Sequence, residues 1–289
     1  MITVLVNPIS GGGKALKVLP EIEKVLTDAK KEYIIRKTEF PGDALNIAID
    51  AVKSAHDAII VAGGDGTMSE VLHGVVGSAV AIMFAPCGTG NDFVKCMHIP
   101  VEPVQAIKKQ LSSPLRRLDY ATVNGKAFLN ICGTGFDVEV LRHLAGYRAK
   151  VTGMKAYLWA LMDALKNYKP LECEVSVDGA PFEKKSVCIL CIGNGVYLGG
   201  GMKGVPGAVP YDGLLNLVMV NSIKKWMIPF LLPLFIFGKH PKLSICKTQT
   251  CKRVSIKTEG TMTMQLDGEL VDMKNADIAI IPSGVGARY

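Results

Sequence analysis

Along its first 120 residues the chain alternates short, almost wholly apolar runs with longer stretches in which apolar residues recur every three or four positions. Strands covered on both faces read as unbroken β-branched runs, and surface helices carry one apolar stripe. The alternation therefore predicts βαβ units around a mostly parallel sheet. Residues 2–6 read as a strand and 15–29 as a helix; a second strand begins near Tyr33, 44–54 is helical, and 58–62 and 80–84 are two further strands. Thr67-Met-Ser-Glu70 follows the third strand as a capping box and predicts a helix start there.

From about Leu118 the texture changes to short strands, at 119–123, 172–178, 187–192, 215–220, 254–257 and 262–266, with Asn124-Gly125 and Asp178-Gly179 as turns. One helical stretch, 138–167, interrupts them. This pattern predicts a mainly antiparallel second domain, a β-sandwich or open barrel. A chain of 289 residues accommodates both cores, residues 1–120 as the α/β domain and 121–289 as the β-rich one, with the C-terminal tail free to return to the first.

Composition narrows the class. Hydrophobic residues make up 49% and charged ones 20%, which excludes a disordered chain, and thirty glycines without a Gly-X-Y period exclude collagen. No basic n-region opens the chain and no apolar run reaches the roughly 18–20 residues that span a bilayer, so a cytoplasmic location is expected. Eight scattered cysteines predict free thiols, and Cys188 and Cys191 lie in a strand-like apolar run rather than a zinc or redox motif.

Charge is uneven. The formal net is +7, yet residues 221–257 alone hold eight Lys or Arg and no Asp or Glu. Within them, 226–237 is a block of twelve apolar residues broken by Pro229 and Pro233. Such a segment is either buried, with its flanking lysines solvated, or a contact for an anionic membrane through Lys224, Lys225, Trp226, Phe230 and Lys239. A nucleic-acid role fits less well, since it calls for aromatics interleaved with basic residues.

Candidate chemistry sits where apolar strands end in glycine-rich turns: Asn7-Pro8-Ile9-Ser10-Gly11-Gly12-Gly13, Gly63-Gly64-Asp65-Gly66-Thr67 and Gly88-Thr89-Gly90-Asn91-Asp92. In an open α/β sheet such turns line the carboxyl edge, where glycine lets backbone amides approach an anion and a following helix adds its positive end. Each turn alone is ordinary; three together predict a phosphate cradle. Lys14 is followed by Ala15, so there is no P-loop, and no third glycine completes G-x-G-x-x-G.

These turns, followed in order by Phe128-Leu-Asn130, Gly135-Phe-Asp137, Asp212-Gly213 and Asp267-Gly268-Glu269, resemble the diacylglycerol kinase catalytic-domain family in its soluble bacterial lipid-kinase branch. A GGDGT turn alone is shared with NAD kinases and 6-phosphofructokinases, whose fold the first domain is then expected to share. The resemblance implies ATP around Asn7, Ser10, Gly11, Thr38, Gly64, Asp65, Gly66, Thr67 and Thr89, and the same turns add Pro8, Gly63, Glu70, Gly88 and Asn91. It implies Asp267 as the base on a lipid hydroxyl, assisted by Glu269; read by itself, Asp267-Gly268-Glu269 is a hairpin turn. It further implies an active-site Mg²⁺ network of Asp65, Asp92 and Asp119, and a second, structural Mg²⁺ on Val209, Asp212 and Leu214. Tyr211 departs from the acidic residue that some relatives carry before this Asp-Gly.

The five histidines show no ligand spacing, and Ser10 has no nucleophile elbow. The expected activity is ATP- and Mg²⁺-dependent transfer of the γ-phosphoryl group to a membrane lipid hydroxyl, diacylglycerol giving phosphatidic acid. Alternatives are a sphingoid-base or phosphatidylglycerol kinase, an NAD kinase, and a non-catalytic nucleotide-binding membrane module. The expected partner is a lipid at an anionic membrane surface with peripheral association, without nucleic acid; no protein partner is evident and a homodimer is left open.

Overall fold

A computed structural model describes residues 1–148 and 154–289. Four strands, β1 (Ile2–Val6), β2 (Tyr33–Lys37), β3 (Ala58–Gly63) and β4 (Ala81–Pro86), lie in the order β2-β1-β3-β4 and pair in parallel, Val4 standing opposite Ile35 and Ile60. Their unbroken apolar runs follow from burial on both faces. Val4, Ile60 and Met83 enter a core with Leu19, Ile22 and Leu26 of α1 (Lys14–Asp28), while Leu5, Ile59 and Ile82 enter another with Ile47 of α2 (Asp43–Lys53) and Leu72 of α3 (Asp65–Val75). Beyond β4 come α4 (Asp92–Cys96) and α5 (Pro103–Ser112), the latter adding Ile107 to the first core.

The remaining strands pair mainly antiparallel. They are β5 (Leu115–Val123), β6 (Lys126–Phe128), β7 (Ile131–Gly135), β8 (Leu171–Val177), β9 (Glu183–Gly193), β10 (Leu215–Asn221), β11 (Cys246–Cys251), β12 (Arg253–Leu266) and β13 (Glu269–Arg288). The two-residue hairpins Asn124-Gly125 and Asp267-Gly268 have positive φ at both positions, 50° and 85°, 49° and 91°, as the twist-matched turn demands. β12 shifts register between Lys257 and Met262, so its first half pairs with β8 and its second with β7. As β9 pairs with both β7 and β8, the four strands close a circuit around Val175, Leu190, Ile256 and Met264. β13 runs back to the first sheet, where Gly286 and Ala287 pair in parallel with Ala81 and Ile82.

Two expectations change. The stretch at 138–167 is two helices, α6 (Phe136–Arg148) and α7 (Met154–Lys166), and residues 149–153 of it lie outside the described residues. The capping box does not form. α3 starts at Asp65, directly off its strand, which carries Thr67 into the first turn instead of the cap position. Thr67 then accepts a bond from Asn7 Nδ2 (2.9 Å), and Glu70 accepts the amides of Gly42 and Ala44 (3.1 Å each), capping α2. All eight cysteines are buried and free, as expected.

Candidate active site

Parallel pairing brings the carboxyl ends of β1, β3 and β4 to one edge, and the three glycine turns meet there. A Cβ on Gly88 would stand 2.5 Å from Gly64 Cα, one on Gly64 3.7 Å from Ser10 Oγ, and one on Gly11 2.0 Å from the Cys87 carbonyl oxygen. At Gly88 and Gly11 main chain packs on main chain, which no other residue permits. The Cys87 amide bonds the Gly63 carbonyl (2.9 Å) and the Asn7 amide that of Ala62 (3.0 Å). Asn91 closes the third turn, accepting from the Gly88 amide and donating to the Gly88 carbonyl (2.9 Å each).

No side chain caps α1, which follows Gly11, Gly12 and Gly13 (φ 58°, 66° and 89°), or α3, which follows Gly64. Two helix starts with unclaimed amides thus face the same edge, the condition for binding an anion. Thr38 joins by donating its amide to Val6 (2.9 Å); Pro8 is half-buried, Thr89 exposed, and Gly66 meets open space.

Asp65 and Asp92 lie against each other. A Cβ on Gly90 would be 2.8 Å from Asp65 Oδ2 and 3.4 Å from Asp92 Oδ2. Asp65 Oδ1 takes the amides of Asp92 (2.8 Å) and Phe93 (3.4 Å), and burial, then the charge of Asp92, holds its carboxyl above the usual range. Asp92 receives Lys95 Nζ (3.1 Å) and the Gly200 amide (2.7 Å), which ties the Gly199-Gly200-Gly201 loop to α4. Asp119 is buried with both oxygens engaged, by the amides of Ser283 and Gly213 (2.7 Å each).

Asp267 forms the β12–β13 turn, and its carboxylate folds back on three successive amides: Leu129 (2.7 Å), Asn130 (2.9 Å) and Ile131 (3.0 Å). Burial pushes its carboxyl up to about 6, the three N–H groups oppose the rise, and the charge of Asp65 adds to it. Glu269 points elsewhere: it is exposed and bonds Lys126 Nζ at 2.7 Å.

Residues 1–123 match the profile described as diacylglycerol kinase catalytic domain, and residues 130–286 that described as YegS C-terminal NAD kinase beta sandwich-like domain. The chain belongs to the diacylglycerol kinase catalytic-domain family. A diacylglycerol kinase of Bacillus subtilis is 28% identical over 270 residues, 92% of this chain and 88% of that protein. One of Mycobacterium tuberculosis is 27% identical over 290 residues, 98% and 93% of the two chains. The crystal structure of a Bacillus anthracis str. Sterne relative, 26% identical, superposes with a TM-score of 0.84 over 100% of this chain and 96% of that one.

Membership makes the chain a lipid kinase, with ATP the co-substrate that a kinase uses. In this kinase the loop expected to carry a second metal is a closed turn: Asp212 Oδ1 accepts the Leu214 amide (2.9 Å) and the Val209 carbonyl accepts that of Tyr211 (2.9 Å). Tyr211 stacks on Tyr289 with ring centroids 5.8 Å apart.

The sequence reading gave no role to three features of the kinase. Gly199-Gly200-Gly201 was visible as a glycine run, but its partner Asp92 was not. Asn194 donates to the carbonyls of Asp119 (2.9 Å) and Leu129 (2.7 Å), linking two segments of the site without any local motif. Asp137 lines a largely apolar cavity, about 640 Å³ including its mouth, with Phe136, Leu161, Val220 and Phe235. Both its carboxyl oxygens are buried without a hydrogen bond of ordinary geometry, and burial pushes the group up to about 7.

Proposed function

We propose that the chain transfers the γ-phosphoryl group of ATP to the free hydroxyl of diacylglycerol, giving phosphatidic acid and ADP. Residues 1–120 bind the nucleotide and 121–289 carry the acceptor side. The polyphosphate lies on the unclaimed amides of the three turns, at Gly11–Gly12, Gly64–Thr67 and Thr89–Gly90, with Asn7, Pro8, Ser10, Thr38, Gly63, Gly88 and Asn91 around it, while Glu70 supports the cradle by capping α2. The hydroxyl oxygen attacks the γ-phosphorus, the bond to the β–γ bridging oxygen breaks, and Asp267 takes the hydroxyl proton. Glu269 assists indirectly, by fixing Lys126 beside the hairpin.

Asp65 and Asp92 fit Mg²⁺: their Oδ2 atoms both lie beside Gly90, the raised Asp65 carboxyl is what a divalent cation would neutralise, and Mg²⁺ favours one or two carboxylates with phosphate and water. The ion would supply charge neutralisation on the phosphates. Asp119 then acts by holding the 209–214 turn, where Val209, Asp212 and Leu214 would receive any second ion.

One observation carries the reading: the three glycine turns pack together at the carboxyl edge of β1, β3 and β4, beside two helix starts whose amides no side chain caps. The apolar cavity favours an acyl-bearing acceptor over NAD. Labelled ATP is to be offered with diacylglycerol, a sphingoid base, phosphatidylglycerol and NAD in Mg²⁺ or EDTA, and the products identified by mass. Mg²⁺-dependent phosphatidic acid is expected; transfer to NAD alone would contradict the proposal.

A further inference from the structure

The segment 226–237 forms a short helix, α8 (Ile228–Ile236), entered through the turn Lys225–Met227. Its inner side already has a core. Ile228 is buried, and Leu232 and Phe235 pack beneath α6 and α7, where α8 also walls the apolar cavity. Its outer side shows residues 226, 230, 233 and 237, one stripe at helical spacing. Trp226, Phe230 and Phe237 are 63%, 74% and 67% exposed, Pro233 is exposed between them, and Trp226 meets Phe230 edge-on at 6.4 Å. A helix on a water-facing surface carries polar residues there. Here no polar residue occurs from 226 to 237.

Charge identifies the occupant. Lys224 and Lys225 precede the stripe and Lys239 and Lys242 follow it, all four exposed. Among the described residues none of the four takes part in an ion pair. No carboxylate occurs between residues 221 and 257 to compensate them. A stripe of twelve residues measures about 18 Å by 10 Å, far short of the roughly 800 Å² per partner that a stable protein interface buries. Nine helical residues cannot cross a bilayer, and no described helix is long and apolar enough to do so. Rings between two pairs of lysines match an interface of acyl chains beneath anionic headgroups.

We infer that α8 lies flat on an anionic bilayer, with Trp226, Phe230 and Phe237 entering the headgroup region and Lys224, Lys225, Lys239 and Lys242 meeting lipid phosphates. The inference rests on the lipid acceptor proposed above and specifies the surface through which the enzyme reaches it. Docking in this way sets the wall of the apolar cavity against the membrane.

The test uses the full chain in a Trp159→Phe background, so that Trp226 is its single tryptophan, and phosphatidylcholine vesicles with or without phosphatidylglycerol, without ATP. Expected are co-sedimentation with the anionic vesicles, weakening as salt rises, and a blue shift of Trp226 emission. In the unmodified chain, Trp226→Ser/Phe230→Ser/Phe237→Ser should weaken vesicle binding by about a hundred- to a thousandfold, at roughly five- to tenfold per ring. Replacing the four lysines by Gln should cost about fivefold for each and remove the salt dependence. Both variants should melt like the parent and phosphorylate short-chain diacylglycerol dispersed as monomers at the parental rate. Unchanged binding by the ring variant, equal binding to neutral vesicles, or an emission shift produced by protein concentration alone overturns the inference. If the parent phosphorylates no lipid while still binding vesicles, the proposed activity fails and the docking surface stands.

Discussion

Asp137 offers a sharp test of how this interior treats charge. Its carboxyl oxygens are buried without a hydrogen bond of ordinary geometry, and burial, opposed by the amides of Val138 and Asp137, pushes the group from 3.8 up to about 7. A carboxyl whose folded value exceeds its unfolded one destabilises the fold when ionised. The cost is absent below 3.8, grows through the window up to 7, and is constant above it. A rise of about three pH units, at about 1.36 kcal/mol each, gives about 4 kcal/mol at pH 8 and about 1 kcal/mol at pH 4.5. Asp137→Asn keeps the shape and removes the titration. Urea unfolding of both proteins at pH 4.5, 6 and 8 should show a stability gain for the variant that grows with pH to about 4 kcal/mol, at unchanged m-value. The other titrating groups are common to both proteins and drop out of the difference. A difference independent of pH would refute the reasoning, since the carboxylate would then be solvated or paired in the folded protein.

Asp267 is only half-buried, and its three amides make ionisation useful. Asp267→Asn should lower phosphoryl transfer by about 10²–10⁴-fold with ATP affinity within a fewfold, and the parental rate should fall about tenfold per pH unit below about 6 as the base protonates, read from a pH–rate profile. Gly88→Ala, whose Cβ would stand 2.5 Å from Gly64 Cα, should cost about 1–3 kcal/mol in thermal unfolding and weaken nucleotide binding at least about tenfold by calorimetry. Glu269→Gln loses only an exposed ion pair and should change kcat by less than about tenfold.

Much of the fold was legible because local pattern and tertiary role agree. β1, β3 and β4 are buried on both faces, so their sequences are continuous apolar runs, and each ends in glycines because the turns touch through main chain. Where a side chain's partner lies far along the chain, the local reading failed. Glu70 looked like half of a capping box on its own helix, yet it caps α2, 26 and 28 residues away. Asp267 reads as a hairpin residue, and it is one; that its carboxylate collects amides some 137 residues upstream has no local signature, and only the family resemblance marked it. The block at 226–237 was equally apolar under both readings, because hydrophobicity does not say which side of a helix finds a core. The exposure of Trp226, Phe230 and Phe237 decides that these rings are not buried in the chain's own core.

The central claim is that three backbone turns gather their N–H groups around one polyphosphate facing Asp267. A crystal structure with a non-hydrolysable ATP analogue and Mg²⁺ tests it most directly. Phosphate oxygens are expected on amides of the Gly11, Gly64 and Gly88 turns, with the terminal phosphate directed toward the Asp267 carboxylate. A triphosphate bound away from those amides, or turned from Asp267, would contradict it.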